Sequence, residues 1–133
     1  MTEPDRVKTA TLDMVWDDAT RVCVTRVTPG ASLTEEDGLV LVGAIERWIG
    51  ESPALFAVLA DGGGGHQADR GYRAVLSRYF RKRIDVARVA FFGLDPVLKV
   101  TVEMLQVATG MQLTVLENEE AARAWLAGHG FRL

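Results

Sequence analysis

The stretch from Val58 to Asp69, VLADGGGGHQAD, decides how the rest of the chain is interpreted. It leads from an apolar strand through four consecutive glycines to the start of a helix, where α/β domains commonly place a binding loop. The loop contains no Ser, Thr, Lys or Cys. It therefore lacks a nucleophile, a hydroxyl that a kinase could phosphorylate and a lysine that could hold a phosphate.

Length and composition fit one globular domain. The chain has 133 residues, of which 48% are hydrophobic and 25% are charged, and both fractions are ordinary for a soluble fold. We therefore expect a single domain over residues 1–133, with a frayed polar tail at residues 1–10. The formal net charge of -3 argues against nucleic-acid binding, which needs an excess of Lys and Arg.

The cysteine, histidine and hydropathy patterns argue against a disulfide-bonded, a metal-binding or a membrane-spanning protein. The single cysteine, Cys23, cannot form an internal disulfide, and with only two histidines the chain has no short metal-ligand spacing. No apolar run is long enough to span a bilayer, and the amino terminus lacks the apolar segment of a signal peptide. We therefore predict a cytoplasmic protein with no metal, no cofactor and no membrane span.

The residues before the glycine loop predict a hairpin, a helix and a buried strand. Apolar residues alternate in 12–16 and return in 22–27 after the turn residues 17–20, which is typical of two antiparallel strands. Thr34 and the acidic residues after it indicate a helix start, and Gly50 ends that helix. Gly38 and Gly43 within it would let it approach the sheet closely. The unbroken apolar run Ala54–Ala60, ALFAVLA, predicts a central strand covered on both faces.

After the loop, helices and strands alternate. Asp69 is expected to cap a helix that reaches about Lys82, and residues 86–92 predict the next buried strand. Asp95 and Pro96 begin a third helix, 96–109, before a short strand at 112–116 and a closing helix from Asn118. This order predicts an α/β fold with a mixed five-stranded sheet, opening with the hairpin and then mostly parallel, and about four helices.

The third predicted helix is unusually apolar. Lys99, Glu103 and Gln106 form one thin polar stripe, and nearly every other position is hydrophobic. Such a helix must be covered on more than one side. A neighbouring helix of the same chain, a second subunit or an apolar ligand could provide the cover. We assign the interface to three residues: Leu98, Val102 and Leu105.

The pattern as a whole resembles the bacterial SpoIIAA-like, STAS-type domains from about Leu12 to Leu126. The resemblance rests on the hairpin, the helix opening LTEEDGLVL (33–41), the strand ending in Asp61, the Arg-bearing helix, the strand VARVAFF (86–92) and the ending EAARAWL (120–126). It implies a five-strand, four-helix fold that has no enzymatic activity in most members. A distant group with a similar fold binds lipids in an apolar pocket.

The resemblance also implies a regulatory position that this chain does not preserve. In the anti-sigma-factor antagonists of the group, a partner kinase phosphorylates a Ser or Thr that directly follows the Asp of the central strand. Here Asp61 keeps the first position, but Gly62 and Gly63 stand where the hydroxyl would be. We therefore expect no phosphorylation switch at this loop.

Candidate binding residues lie in and just after the glycine loop. Consecutive glycines expose N–H groups, and a helix start adds a positive end, so the loop could hold an anion or could be an exposed flexible loop. Its spacing matches neither a P-loop nor a dinucleotide fingerprint. The arginines of the following helix could receive an anionic group. The candidates are Asp61, Gly62, Gly63, Gly64, Gly65, His66, Arg70 and Arg73.

These observations predict a binding protein rather than an enzyme. His66 is the only titratable ring near the loop, and no nucleophile or oxyanion donor accompanies it. The sequence favours a non-enzymatic bacterial regulatory or protein–protein interaction module with an unknown protein partner, and leaves open a homodimer through helix 96–109. The alternative is a carrier of a lipid or small apolar ligand between that helix and the sheet.

Overall fold

The computed structural model describes residues 5–63 and 67–133, which form an α/β structure. The strands are β1 (Asp5–Lys8), β2 (Leu12–Asp17), β3 (Val22–Val27), β4 (Ser32–Leu33), β5 (Phe56–Asp61), β6 (Gln67–Ala68), β7 (Ala87–Phe92) and β8 (Leu113–Leu116). The helices are α1 (Glu35–Ile49), α2 (Arg70–Arg81), α3 (Pro96–Thr109) and α4 (Glu119–Gly128). The predicted mixed α/β class with four helices is confirmed within these residues.

The main sheet has the order β1-β2-β3-β5-β7-β8 in the described part of the chain. Strands β1, β2 and β3 pair antiparallel, and the pairs from β3 to β8 are parallel. The opening hairpin followed by parallel strands is therefore as predicted. Strands β4 and β6 form a separate two-stranded parallel sheet that the sequence did not reveal.

The sheet has six strands where the sequence predicted five, because part of the expected tail is a strand. Residues 5–8 pair with 13–16, and an ion pair joins Arg6 to Asp13 at 2.7 Å. Val7 packs against the core, but its neighbours are polar and mostly exposed. One apolar residue gives no alternation to recognise, so the prediction of a frayed tail is wrong for residues 5–8.

Three helices cover one face of the sheet and one helix covers the other. The larger core lies beneath α1, α2 and α3 and includes Met14, Ile45, Phe56 and Val89. The smaller core lies beneath α4, where Ala122 and Leu126 pack against the opposite sides of β3, β5 and β7. Alternate residues of each central strand thus enter different cores, as expected of a strand covered on both faces.

Each helix begins at a side-chain cap that the sequence indicated. Asp69, Asp95 and Asn118 accept hydrogen bonds from backbone N–H groups of the first turns of α2, α3 and α4 at 2.8–2.9 Å. Thr34 forms a reciprocal capping box with Asp37 at the start of α1. These caps fix the points at which α2 and α3 leave the carboxyl edge of the sheet, which is where the candidate site lies.

Gly38 allows α1 to approach α2 rather than the sheet. A Cβ atom at this position would lie 3.2 Å from the Cβ atom of Val75 on α2. A Cβ atom at Gly43 would meet nothing within 4 Å. The prediction that these glycines let α1 approach the sheet is therefore wrong. Gly38 allows a contact between two helices, and Gly43 faces open space.

Candidate ligand-binding cavity

A cavity of about 630 Å³ separates the sheet from helices α2 and α3. Its volume lies in the range of small-molecule sites, and its lining is predominantly apolar. It is partly open to solvent. The floor comes from β3, β5 and β7 and includes Thr25, Val58, Ala60, Val89 and Phe91.

The two helices form the walls of the cavity along their length. Helix α2 contributes residues from Arg70 to Phe80, and α3 contributes residues from Leu98 to Ala108. Helix α3 has no buried residue although its sequence is strongly apolar. Val102 and Leu105 pack against the core while remaining partly exposed, and the cavity lies between much of the helix and the sheet.

Small side chains provide the space. Alanines occupy the cavity surface on β5, β6, α2 and α3, at positions 60, 68, 74 and 108. A larger apolar residue at Ala60 would project from the middle of the floor. In a close-packed interior such positions normally carry interlocking side chains, so the alanines leave a volume that residues 5–63 and 67–133 do not fill.

Charged side chains gather at one end of the cavity, where β5 ends and α2 begins. Asp61, Arg70 and Arg73 all line this end. Nη1 of Arg26, from the end of β3, donates to Oδ2 of Asp61 at 2.9 Å, and Nη2 of Arg26 donates to Glu119 of α4 at 3.3 Å. The one carboxylate in the lining is thus neutralised by an arginine.

The hydrogen bonds among Arg26, Asp61 and Glu119 also shift the pKa values of Arg26 and Glu119. Partial burial lowers the pKa of Arg26, but the hydrogen bonds to Glu119 and Asp61 outweigh it, so the pKa is raised above its ordinary value. The hydrogen bond from Arg123, opposed by partial burial and assisted by Arg26, lowers the pKa of Glu119. Both groups therefore stay charged near neutral pH, and the cluster fixes the carboxyl edge rather than exchanging protons.

The start of the glycine run is shaped by packing. The N–H of Gly62 donates to the carbonyl of Phe92 at 2.8 Å, and that of Gly63 donates to Asp61 at 2.9 Å. A Cβ atom at Gly62 would collide with the side chain of Leu94. The position at which the resembled family carries a hydroxyl therefore has no room for one with Leu94 in place.

Four of the predicted binding residues line the same cavity, and their role in binding stays a prediction. Asp61, Gly62, Arg70 and Arg73 line the same cavity, and Gly63 contacts Asp61. The predictions for Gly64, Gly65 and His66 fall outside the described residues.

The three residues of the predicted interface on α3 lie at the cavity, and their role in an interface stays a prediction. Leu98, Val102 and Leu105 line the cavity and are only partly exposed. The outward face carries Val97 and Val107, which are 76% and 86% exposed, together with Val100. Met104 is also exposed, but it lines the cavity as well. The sequence showed that the helix is apolar on nearly every side. It did not show which side faces the sheet, because tertiary packing sets the orientation of the helix about its axis.

Sequence reasoning missed several cavity residues. Thr25 is buried on the floor, Tyr72 and Phe80 line the α2 wall, and Leu94 lies beside Gly62. The alternation of β3 offered a signal, since Cys23, Thr25 and Val27 share a face. No signal indicated Arg26, because its partners Asp61 and Glu119 are 35 and 93 residues away.

Residues 5–63 and 67–133 contain no activated thiol and no cluster of metal ligands. Cys23 is fully buried, and burial raises the pKa of its thiol to about 11, so little of it is thiolate near neutral pH. No group of three or more His, Cys, Asp or Glu side chains in these ranges could hold a metal ion. Likewise, none of the helices described combines the length and apolarity needed to cross a membrane.

The sheet order, the three-plus-one helix arrangement and the opening hairpin define a SpoIIAA-like fold. The chain is similar to a crystal structure of an uncharacterised protein of the DUF3478 family, with a SpoIIAA-like fold, from Shewanella loihica PV-4. The TM-score is 0.63 at 14% identity, over 93% of this chain and 92% of that one. No protein-family model and no curated protein matches the sequence. The suspected SpoIIAA-like fold is confirmed.

Proposed function

We propose that this protein is a non-enzymatic binding protein that holds a lipid or another small apolar ligand between the sheet, α2 and α3. The observation that carries the proposal is the cavity of about 630 Å³ with its predominantly apolar lining. Water in such a space has few polar partners, so an apolar ligand that displaces it gains free energy of transfer.

Helix α3 supports this proposal over core packing alone. Its inner residues Leu98, Val102 and Leu105 are only half-buried because the cavity lies in front of them. A bound apolar molecule would remove that surface from water at roughly 25 cal/mol for each Å². The ligand would therefore complete the packing of α3.

Binding without conversion is proposed because no reactive group accompanies the cavity in the described residues. The lining hydroxyls of Thr25, Ser77 and Thr101 have no histidine beside them in the lining, and Cys23 is buried with a raised pKa. Nucleophilic catalysis requires a base within hydrogen-bond reach of the nucleophile. Regulation of another protein could follow from ligand binding, but the cavity itself supports only the binding step.

A titration with decanol tests the proposal. Displacement of an uncharged fluorescent probe, N-phenylnaphthylamine, should show saturable binding of decanol to the purified protein. Ala60→Phe, which fills the floor, should weaken binding by about tenfold or more. Ala124→Phe adds the same side chain to the exposed side of α4, away from the cavity, and should bind normally. Equal binding by both variants, or no saturable binding by the wild type, would contradict the proposal.

A second candidate function, protein contact through α3, is favoured by its outward face. Val97, Val100, Met104 and Val107 are exposed and spaced by three, four and three residues, which is the spacing of a helix-pairing seam. The predicted homodimer through 96–109 would use this stripe. The two functions use largely different residues of α3, because Leu98, Val102 and Leu105 line the cavity and Met104 is the one residue of the outer stripe that also does so.

A further inference from the structure

We propose that the ligand is an anionic amphiphile, with its carboxylate or phosphate at Arg70 and Arg73 and its apolar tail along the cavity between α2 and α3. This inference rests on the proposed function and specifies the ligand class. It follows from the uneven distribution of charge around the cavity, since the charged lining residues occupy one end.

At the charged end of the cavity, Arg70 and Arg73 are available to bind an anionic group. The carboxylate of Asp61 is held by Arg26 at 2.9 Å. Within the described residues, neither Arg70 nor Arg73 forms a salt bridge, and the Nε of Arg73 donates only to the backbone carbonyl of Asp69 at 3.3 Å. An anionic head group would complete the charge pairing, and guanidinium groups bind carboxylates and phosphates well.

The two arginines lie together because they are three residues apart on the first turn of α2. The carboxylate of Asp69 already caps this turn by accepting from the N–H of Tyr72 at 2.8 Å, so the two guanidinium groups provide the positive charge. Both side chains are exposed, so a head group could reach them from solvent while the tail enters the cavity. This arrangement fits a molecule that is charged at one end only.

The rest of the cavity suits the tail. From Arg70, helix α2 runs towards Phe80 over about 15 Å, and its cavity-facing residues become apolar along the way. Val89 and Ala108 line the cavity beyond the first turn. A head group at the far end would lose its water without an ionic partner in the lining, so burial there is strongly disfavoured. The charge distribution therefore fixes the orientation of the ligand.

Paired ligands separate the two parts of the proposal. Decanoate and decanol share a chain and differ in head group, and inorganic phosphate has charge without a chain. At pH 8 and low salt, the wild type should bind decanoate at least about tenfold more tightly than decanol. Arg70→Gln/Arg73→Gln should remove this preference and leave decanol binding unchanged. Phosphate alone should not compete at the concentrations at which decanoate saturates.

A variant of the same helix provides the control. Arg78→Gln/Arg81→Gln removes the same charge from the last turn of α2, where neither side chain lines the cavity, and it should retain the preference for decanoate. Equal binding of both ligands by the wild type, or loss of the preference in both double variants, would overturn the head-group assignment alone. Competition by phosphate would also overturn it, since the site would then hold a free anion. Failure of both ligands to bind would overturn the proposed function itself.

Discussion

The side chain of Leu94 occupies the space that a Cβ atom at Gly62 would need. Leu94 follows β7, Gly62 follows β5, and both line the cavity at the carboxyl edge of the sheet. A side chain at position 62 therefore requires Leu94 to move from the end of the central strand.

Gly62→Ala should destabilise the protein by about 1–3 kcal/mol, because Leu94 must move to admit the added methyl group. Urea unfolding would measure the loss. Gly43→Ala makes the same change at an exposed position of α1 with open space around it, and should instead stabilise by about 0.5–1 kcal/mol. In a Leu94→Ala background, Gly62→Ala should lose most of its effect. If Gly62→Ala destabilises the Leu94→Ala protein as much as the wild type, Leu94 is not the obstacle.

Cys23 should make stability fall in alkaline solution. Its folded pKa of about 11 lies above its ordinary value of 9.0 because of burial. Below pH 9 the thiol is protonated in both states; between pH 9 and 11 the unfolded chain loses the proton more readily, so the free energy of unfolding decreases by up to roughly 3 kcal/mol. Cys23→Ala should lack this component between pH 8 and 10.5. The same slope in both proteins would contradict the assignment.

Asp61→Asn should increase affinity for an anionic ligand. The substitution removes the one carboxylate of the described cavity lining, releases Arg26 from that pairing and retains the oxygen that accepts from Gly63. Decanoate should bind a few-fold more tightly, and the gain should shrink as salt is added. Decanol affinity should not change. Weaker binding of decanoate would mean that Asp61 contacts the ligand favourably.

Self-association through α3 remains a prediction, now assigned to its outer face. Val97→Lys/Val100→Lys adds charges to the exposed stripe and should abolish any dimer seen for the wild type by sedimentation velocity, because apolar seams exclude paired like charges. Ala124→Lys/Ala127→Lys adds the same charges to exposed positions on α4 and should leave the dimer intact. A wild type that sediments as a monomer at high concentration would end this prediction.

Local patterns were enough to predict most of the fold. Capping residues such as Asp69 and Asp95 marked helix starts, and the apolar run ALFAVLA marked an interior strand, because both signals lie within a few neighbouring residues. Strand β1 was not predicted, because its own sequence has one apolar residue and its pairing with β2 stabilises it. Short strands that depend on a neighbour give little periodicity of their own.

The candidate site was only partly predictable for a different reason. Asp61, Arg70 and Arg73 follow the central strand along the chain, so their proximity could be expected. The sequence offered a ligand site between helix 96–109 and the sheet only as an alternative, because the cavity depends on alanines such as Ala60 and Ala108 from separate elements. That Leu98, Val102 and Leu105 form an interface stays a prediction, because the side of α3 that faces the sheet is set by tertiary packing.

Nuclear magnetic resonance of methyl-labelled Leu and Val residues with decanol tests the central claim most directly. Intermolecular contacts should connect the alkyl chain to the methyl groups of Leu98, Val102 and Leu105, on the inner face of α3. The methyl groups of Val97 and Val107, on the outer face of the same helix, should show none. Contacts confined to the outer face, or no contacts at saturating decanol, would contradict ligand binding in the cavity.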